Sequence, residues 1–165
     1  MSALDDFLAS SERLAARGTI QQLAATPARG VAVLTCMDAR IDVFRVLDLR
    51  AGDAHVIRNA GGRASDDAIR SLIITSTLFE TREVVVMHHT DCGMRTFTNA
   101  ELRSRVARAV GSDASDIDFL PFTDLDQSVR DDVRRIEQSA HLHADTLVNG
   151  CVYDLNSGQL RQVDR

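Results

Sequence analysis

At 165 residues the chain is long enough for one domain that buries most of its apolar surface, and short for two. Its composition is that of an ordinary globular protein, and a formal net charge of −5 argues against a nucleic-acid partner. No apolar run reaches the ~18 residues that span a bilayer, nothing N-terminal has the form of a secretory signal, and three widely spaced cysteines make no disulfide framework, so a cytoplasmic protein whose thiols serve a metal or chemistry is expected.

Taken in chain order, the patterns alternate. Leu4, Phe7, Leu8, Leu14 and Ala15 recur at helical spacing and predict an amphipathic helix ending near Gly18, followed by a short helical piece over 20–25 before Pro27. Residues 31–35 (VAVLT) form an apolar run of the kind buried in a parallel sheet, and 42–49 a short helix followed by a Gly52-Asp53 turn. A second strand is predicted over 54–58, then a loop through Asn59-Ala60-Gly61-Gly62. Ser65 caps a helix running to about Glu80, with Asp66 and Asp67 in its first turn and Ile69, Leu72, Ile73 and Leu78 on its buried side. The third strand covers 83–88. A capping box (Thr98 with Glu101) and a hydrophobic staple (Phe97 with Leu102) start a helix that ends near Gly111. The acidic stretch 111–123 has no period and reads as a surface loop. Leu125, Val129, Val133, Ile136 and Ala140 mark another helix, and 146–155 a strand joined through Asn156-Ser157-Gly158 to a short partner over 160–163.

This alternation predicts an α/β fold, a single domain over 1–165 with a helical arm over 1–27 and a core over 28–165. The core is a mainly parallel central sheet flanked by helices, with a C-terminal hairpin. In open sheets of this kind ligands bind beyond the carboxyl ends of the strands, where strand order reverses, and one common order sets the first and third strands side by side. Cys36 ends the first strand, and His89 and Cys92 follow the third, so that order would join them. Two thiolates and an imidazole are a natural zinc set, and three protein ligands leave a fourth position open, as in catalytic sites. Asp38 lies near enough to accept a hydrogen bond from water on the metal, and Arg40 can pair with it and keep it ionised. Zinc lowers the pKa of its water toward ~7 in three-histidine sites. Two anionic thiolates neutralise more of the metal's charge, so a less acidic water is expected here.

At these residues the chain resembles the β-class carbonic anhydrases, in their compact bacterial branch. Cys36-x-Asp38-x-Arg40 and His89-x-x-Cys92-Gly93 stand in that family's order, and Val56-Ile57-Arg58-Asn59-Ala60-Gly61 extends the likeness. The resemblance implies a carbonate dehydratase: reversible hydration of CO2 to bicarbonate and a proton, by hydroxide on one Zn2+ per chain. It makes Cys36, His89 and Cys92 the ligands and Asp38–Arg40 the dyad that orients the nucleophile, and Gly61 and Gly93 are assigned to the substrate pocket. It also implies a homodimer or higher assembly with the N-terminal helix packed on a neighbour. Family sites that close by Asp ligation are associated with a bicarbonate pocket containing Trp; this chain has no Trp, and an open site is expected.

Plainer readings take the remaining residues. Cys151 sits in an apolar strand with no ligand pattern and reads as core. His88 competes with His89, but the His-x-x-Cys spacing selects His89 and leaves His88 a packed or partly exposed neighbour. His55 takes a core or interface role, while His141 and His143, two apart near a helix end, face different ways and make no second metal site. Arg103, Arg105 and Arg108, like Arg130, Arg134 and Arg135, are solvated faces diluted by carboxylates. No phosphate-loop pattern surrounds Gly61 and Gly62, so a loop requirement suffices to explain them. Two rival functions remain: hydrolysis of carbonyl sulfide or carbon disulfide on the same site, and a non-catalytic module with structural zinc, against which the Asp38–Arg40 pair argues. A Cys36 nucleophile would lack an anion-cradling loop.

Overall fold

In the computed structural model, which describes residues 2–18 and 22–164, five strands make a sheet. They are β1 (Val31–Cys36), β2 (Ala54–Asn59), β3 (Glu83–His89), β4 (Leu147–Tyr153) and β5 (Leu160–Gln162), in the order β2-β1-β3-β4-β5. The β1–β2, β1–β3 and β3–β4 pairings are parallel, and β4–β5 is the antiparallel C-terminal hairpin. The expected α/β class is borne out, and so is the adjacency of the first and third strands. Their pairing ends at Thr35 opposite Met87, where the Thr35 hydroxyl donates to the Met87 carbonyl at 2.7 Å. Cys36 therefore lies one residue past the last pair, and His89 two.

The helices among the described residues are α1 (Ala3–Ala16), α2 (Val43–Val46), α3 (Asp66–Leu78), α4 (Asn99–Val110) and α5 (Leu125–Glu137). Ser2, Asp42, Ser65, Thr98 and Asp124 cap them, each side chain accepting a backbone N–H of the first turn. Thr98 and Glu101 form the expected capping box. One sheet face packs Ala32, Leu34, Val84, Val86, Val148 and Val152 against Leu72 of α3 and Val129, Val133 and Ile136 of α5. Each such side chain contributes about 1.5–3 kcal/mol by leaving water, so this layer fixes the sheet. The opposite layer is thinner: Val33 and Met87 meet Ile41, Val43, Met94 and Phe122, while Val56, Cys151 and Tyr153 stay half-buried. No helix among the described residues is long and apolar enough to cross a membrane.

The structure departs from the sequence pattern in places. α2 is one turn, because Asp48 takes a left-handed φ of 47° and stops the helix short of Leu49. The helical piece expected over 20–25 falls partly on Ile20 and Gln21, outside the described residues, and 22–25 are not helical. α3 turns Ala68, Leu72, Thr75 and Ser76 inward and leaves Leu78 exposed. Thr75 can sit on that buried stripe because its hydroxyl bonds to His55 and Thr81. α5 ends at Glu137 rather than Ala140, and the 111–123 loop buries Phe122.

Candidate metal centre

Beyond the tips of β1 and β3, the sulfurs of Cys36 and Cys92 and a ring nitrogen of His89 lie within 4.8 Å of one another, all three residues buried. Cys36 is carried there by the most apolar strand of the sheet. Cys92 arrives by a sharp reversal: Asp91 takes a left-handed φ of 55°, and Gly93–Arg95 winds into a 3₁₀ turn. His89 Nδ1 donates to the Thr90 carbonyl at 2.8 Å, leaving Nε2 as the lone-pair nitrogen. Thr90 is itself fixed, its N–H on the Tyr153 carbonyl and its hydroxyl accepting from the Leu155 N–H, both at 3.0 Å.

The cluster is short of positive charge. Cys36 is drawn well below an ordinary thiol, first by the Cys92 S–H beside it, then by the His89 ring and the N–H groups of Asp38 and Gly61, against the opposing effect of burial. Cys92 is pushed up by the same sharing and by burial. Burial alone would lower His89, but Cys36 beside it outweighs that and raises it. His89 Nε2 is buried with no hydrogen-bond partner. A soft divalent cation would satisfy all three atoms at once, displacing the protons they otherwise share. Two sulfurs and one imidazole nitrogen fit zinc with a fourth position left over.

Asp38 stands at the rim of this cluster. Its Oδ1 accepts from Arg40 Nε and from the Arg40 backbone N–H, both at 2.9 Å, and its Oδ2 accepts from Arg40 Nη2 at 2.7 Å. The same Oδ2 is 3.9 Å from His89 Nε2. The guanidinium holds the Asp38 carboxyl well below the usual carboxylate range. Arg40 also grips Asp91, through Nη1 to the carboxylate at 2.7 Å and Nη2 to the carbonyl at 3.0 Å. Half of the Arg40 side chain is solvated, so the fork contributes little stability and matters as geometry.

The structure brings Cys36, His89 and Cys92 together and sets Asp38, paired with Arg40, at their rim. The Gly61 N–H faces the Cys36 sulfur, and exposed Gly93 has nothing within 4 Å of where a Cβ would stand. Three features escape the sequence reading. Arg58 donates to the carbonyls of Cys36, Ile41 and Asp38 at 2.9, 3.1 and 2.7 Å, pinning the loop between ligand and dyad; its signal is a lone cation in the apolar strand AHVIRN. Asp91 as a second acceptor for Arg40 has no sequence signal. His88 is the packed neighbour, fully buried because it shares a β3 face with Val84 and Val86, and what escapes is the polar cluster that holds it. There its Nδ1 meets Ser128 Oγ at 2.9 Å and its Nε2 meets Asp132 Oδ2 at 3.1 Å. Asp132 could be found from spacing, since 129, 132, 133 and 136 form one helical stripe.

His55, His141, His143 and Cys151 stay outside the metal cluster. His55 bonds the Thr75 hydroxyl and, at 3.1 Å, the Ala25 carbonyl. His141 and His143 are exposed, and among the described residues no second metal-ligand cluster forms. Cys151 is half-buried, outside the cluster, and burial pushes its thiol up to about 11.

The carbonic anhydrase family profile matches residues 31–118. β-Carbonic anhydrase 1 of Mycobacterium tuberculosis is 39% identical over 165 residues, 99% of either chain. The crystal structure of a carbonic anhydrase from Streptococcus mutans matches with a TM-score of 0.95 at 44% identity, over 99% of both chains. Carbon disulfide hydrolase of Saccharolobus solfataricus is 53% identical over 70 residues, 42% of this chain and 34% of its own.

Proposed function

The chain belongs to the β-carbonic anhydrase family, and we propose that its Cys36, His89 and Cys92 hold the catalytic zinc while Asp38 and Arg40 orient the reacting oxygen. The enzyme is a carbonate dehydratase, a zinc lyase that reversibly hydrates CO2 to bicarbonate and a proton. Zinc, when bound, supplies hydroxide from water near neutral pH. The observation that carries the ligand assignment is the unpartnered, buried His89 Nε2 beside two sulfurs. Asp38, kept ionised by Arg40, is an acceptor only. It takes the nucleophile's O–H as a hydrogen bond, so that a lone pair on the oxygen is turned toward the carbon. Gly93, with open space beside Cys92, and Gly61, with its N–H at Cys36, border the way in for a small linear substrate.

Arg40 engages both carboxylate oxygens of Asp38, and moving Oδ2 onto the metal would give up its 2.7 Å bond to Arg40 and disturb the two on Oδ1. We therefore read the site as open. A crystal at neutral pH with Asp38 on zinc would overturn that reading.

The enzyme works as a homo-oligomer, a dimer at least, in the cytoplasm. In support, α1 has no buried residue and exposes Leu4, Phe7, Leu8 and Leu14, an apolar face that packing on another copy of the chain would cover. Three free cysteines suit a reducing compartment, and the net charge of −5 suits no nucleic acid. Carbon disulfide or carbonyl sulfide hydrolysis would use the same metal site. Carbon disulfide hydrolase of Acidithiobacillus thiooxidans is 32% identical over 81% of this chain, against 39% over 99% for the mycobacterial carbonic anhydrase, and the higher, full-length likeness favours CO2. Stopped-flow assays of zinc-loaded protein on CO2, carbonyl sulfide and carbon disulfide test this. Fast CO2 hydration that collapses in Asp38→Ala, with zinc retained, is expected; undiminished hydration in that variant would remove Asp38 from the mechanism.

A further inference from the structure

Asp132 is an almost fully buried carboxylate, 3% exposed, on the α5 face that packs the sheet, and the reaction as described does not use it. Buried charge is costly unless every lone pair is matched. Its partners are three: the Ala64 N–H at 3.1 Å, Arg63 Nε at 2.7 Å and His88 Nε2 at 3.1 Å. His88 is held in turn by Ser128 Oγ at 2.9 Å and stacks on Phe122, while Arg63 lies over the same ring. Two of these partners, Arg63 and Ala64, directly follow the Gly61-Gly62 turn, and the third, His88, directly precedes ligand His89.

The turn they hold presses on the metal centre. Gly62 has a φ of 69°, and a Cβ there would stand 2.9 Å from the Cys36 backbone nitrogen and 2.9 Å from the Thr35 carbonyl carbon. Its neighbour Gly61 aims an N–H at the Cys36 sulfur. A hydrogen bond to a thiolate withdraws electron density from the sulfur and fixes its direction, and partners of this kind tune the metal that the sulfur binds.

We propose that Asp132 is a positioning residue for the metal centre, clamping the Gly61–Ala64 turn through Ala64, Arg63 and His88 so that the Gly61 N–H stays on the Cys36 sulfur. The proposal rests on the reading of Cys36, His89 and Cys92 as zinc ligands. It makes α5, a helix with no residue in the metal cluster, part of what sets zinc affinity.

The test uses Asp132→Asn, which keeps the shape and removes the charge, and Arg63→Lys, which removes one of the three bonds. The control is Val133→Ala, which destabilises the same helix by truncating its core face. Zinc affinity is measured by chelator competition, and the cobalt-substituted proteins are read by their sulfur-to-metal charge-transfer band. Asp132→Asn is expected to weaken zinc binding by about 10–100-fold and to shift the band; Arg63→Lys should move both in the same direction by less, and Val133→Ala should move neither. Should Asp132→Asn not fold, Arg63→Lys against Val133→Ala decides. Unchanged affinity and band in the Asp132 and Arg63 variants, or equal changes in Val133→Ala, would overturn the proposal. Wild-type protein that binds no zinc would instead refute the ligand assignment beneath it.

Discussion

Adding one methyl group at Gly62 probes the contact on which the metal-bearing strand rests. An Ala at φ 69° is in the left-handed region, which costs an L-residue about 1–2 kcal/mol. The new Cβ would also lie 2.9 Å from two backbone atoms of Thr35 and Cys36, which cannot rotate away as a side chain could. Relieving that overlap means shifting a strand with its neighbours, about 1–3 kcal/mol by the usual cost of overpacking. The sum, roughly 2–5 kcal/mol, is a large part of a domain's stability of about 5–15 kcal/mol. Gly93→Ala is the matched control, because its Cβ would meet nothing within 4 Å and its φ is not positive. Urea unfolding of the two zinc-loaded variants reads the difference: at a slope of about 2 kcal/mol/M, Gly62→Ala should unfold about 1–2.5 M earlier than Gly93→Ala. Gly62→Ala should also release zinc faster, since the displaced backbone carries Cys36. Coincident midpoints and equal zinc retention would refute the claim that this turn props the ligand strand.

Arg58→Ala removes three hydrogen bonds to the carbonyls of Cys36, Asp38 and Ile41. With the Arg partly solvated and the freed carbonyls able to take water, a loss of about 1–3 kcal/mol is expected in urea unfolding, with kcat falling more than KM changes. Asp126 is held below the usual carboxylate range by Arg161, an ion pair that ties α5 to β5. A lowered folded-state value contributes stability above the unfolded carboxyl value of about 4 and loses it as pH falls through the folded one. Hydrogen exchange should therefore find β5 amides better protected in wild type than in Asp126→Asn at pH 7, with the difference shrinking as pH falls below the ordinary carboxylate value of about 4; a difference independent of pH would contradict it. Cys151→Ser should keep one zinc per chain by elemental analysis, because its thiol lies outside the cluster, whereas Cys36→Ser and Cys92→Ser should lose the metal.

Much of this was legible in the residues, for physical reasons. Valine-rich runs within 31–35 and 83–88 read as buried strands in an alternating α/β chain, and the handedness and order rules then put their ends together. Soft ligands at both ends made the cluster readable before any coordinates. The capping boxes and turns were readable because they are local. What escaped depends on side-chain reach. Nothing in the string says that Arg40 would span to Asp91, or that Arg58 would fold back over three carbonyls of another loop. Leu78 follows the helical period yet faces outward, because paired hydroxyls at Thr75 and Thr81 let polar residues take the inner stripe. The buried Asp132 was visible as a carboxylate on an apolar stripe, but its partners at 63, 64 and 88 come from three elements that only the fold brings together.

The most direct test of the metal centre is zinc X-ray absorption on the purified, CO2-active protein at neutral pH. Two sulfurs at about 2.3 Å, one imidazole nitrogen at about 2.0–2.1 Å and one oxygen lost from neither Cys151→Ser nor Asp38→Ala are the expected shell. Fewer than two sulfurs, or an oxygen shell that differs between wild type and Asp38→Ala, would contradict a Cys36–His89–Cys92 site open to solvent.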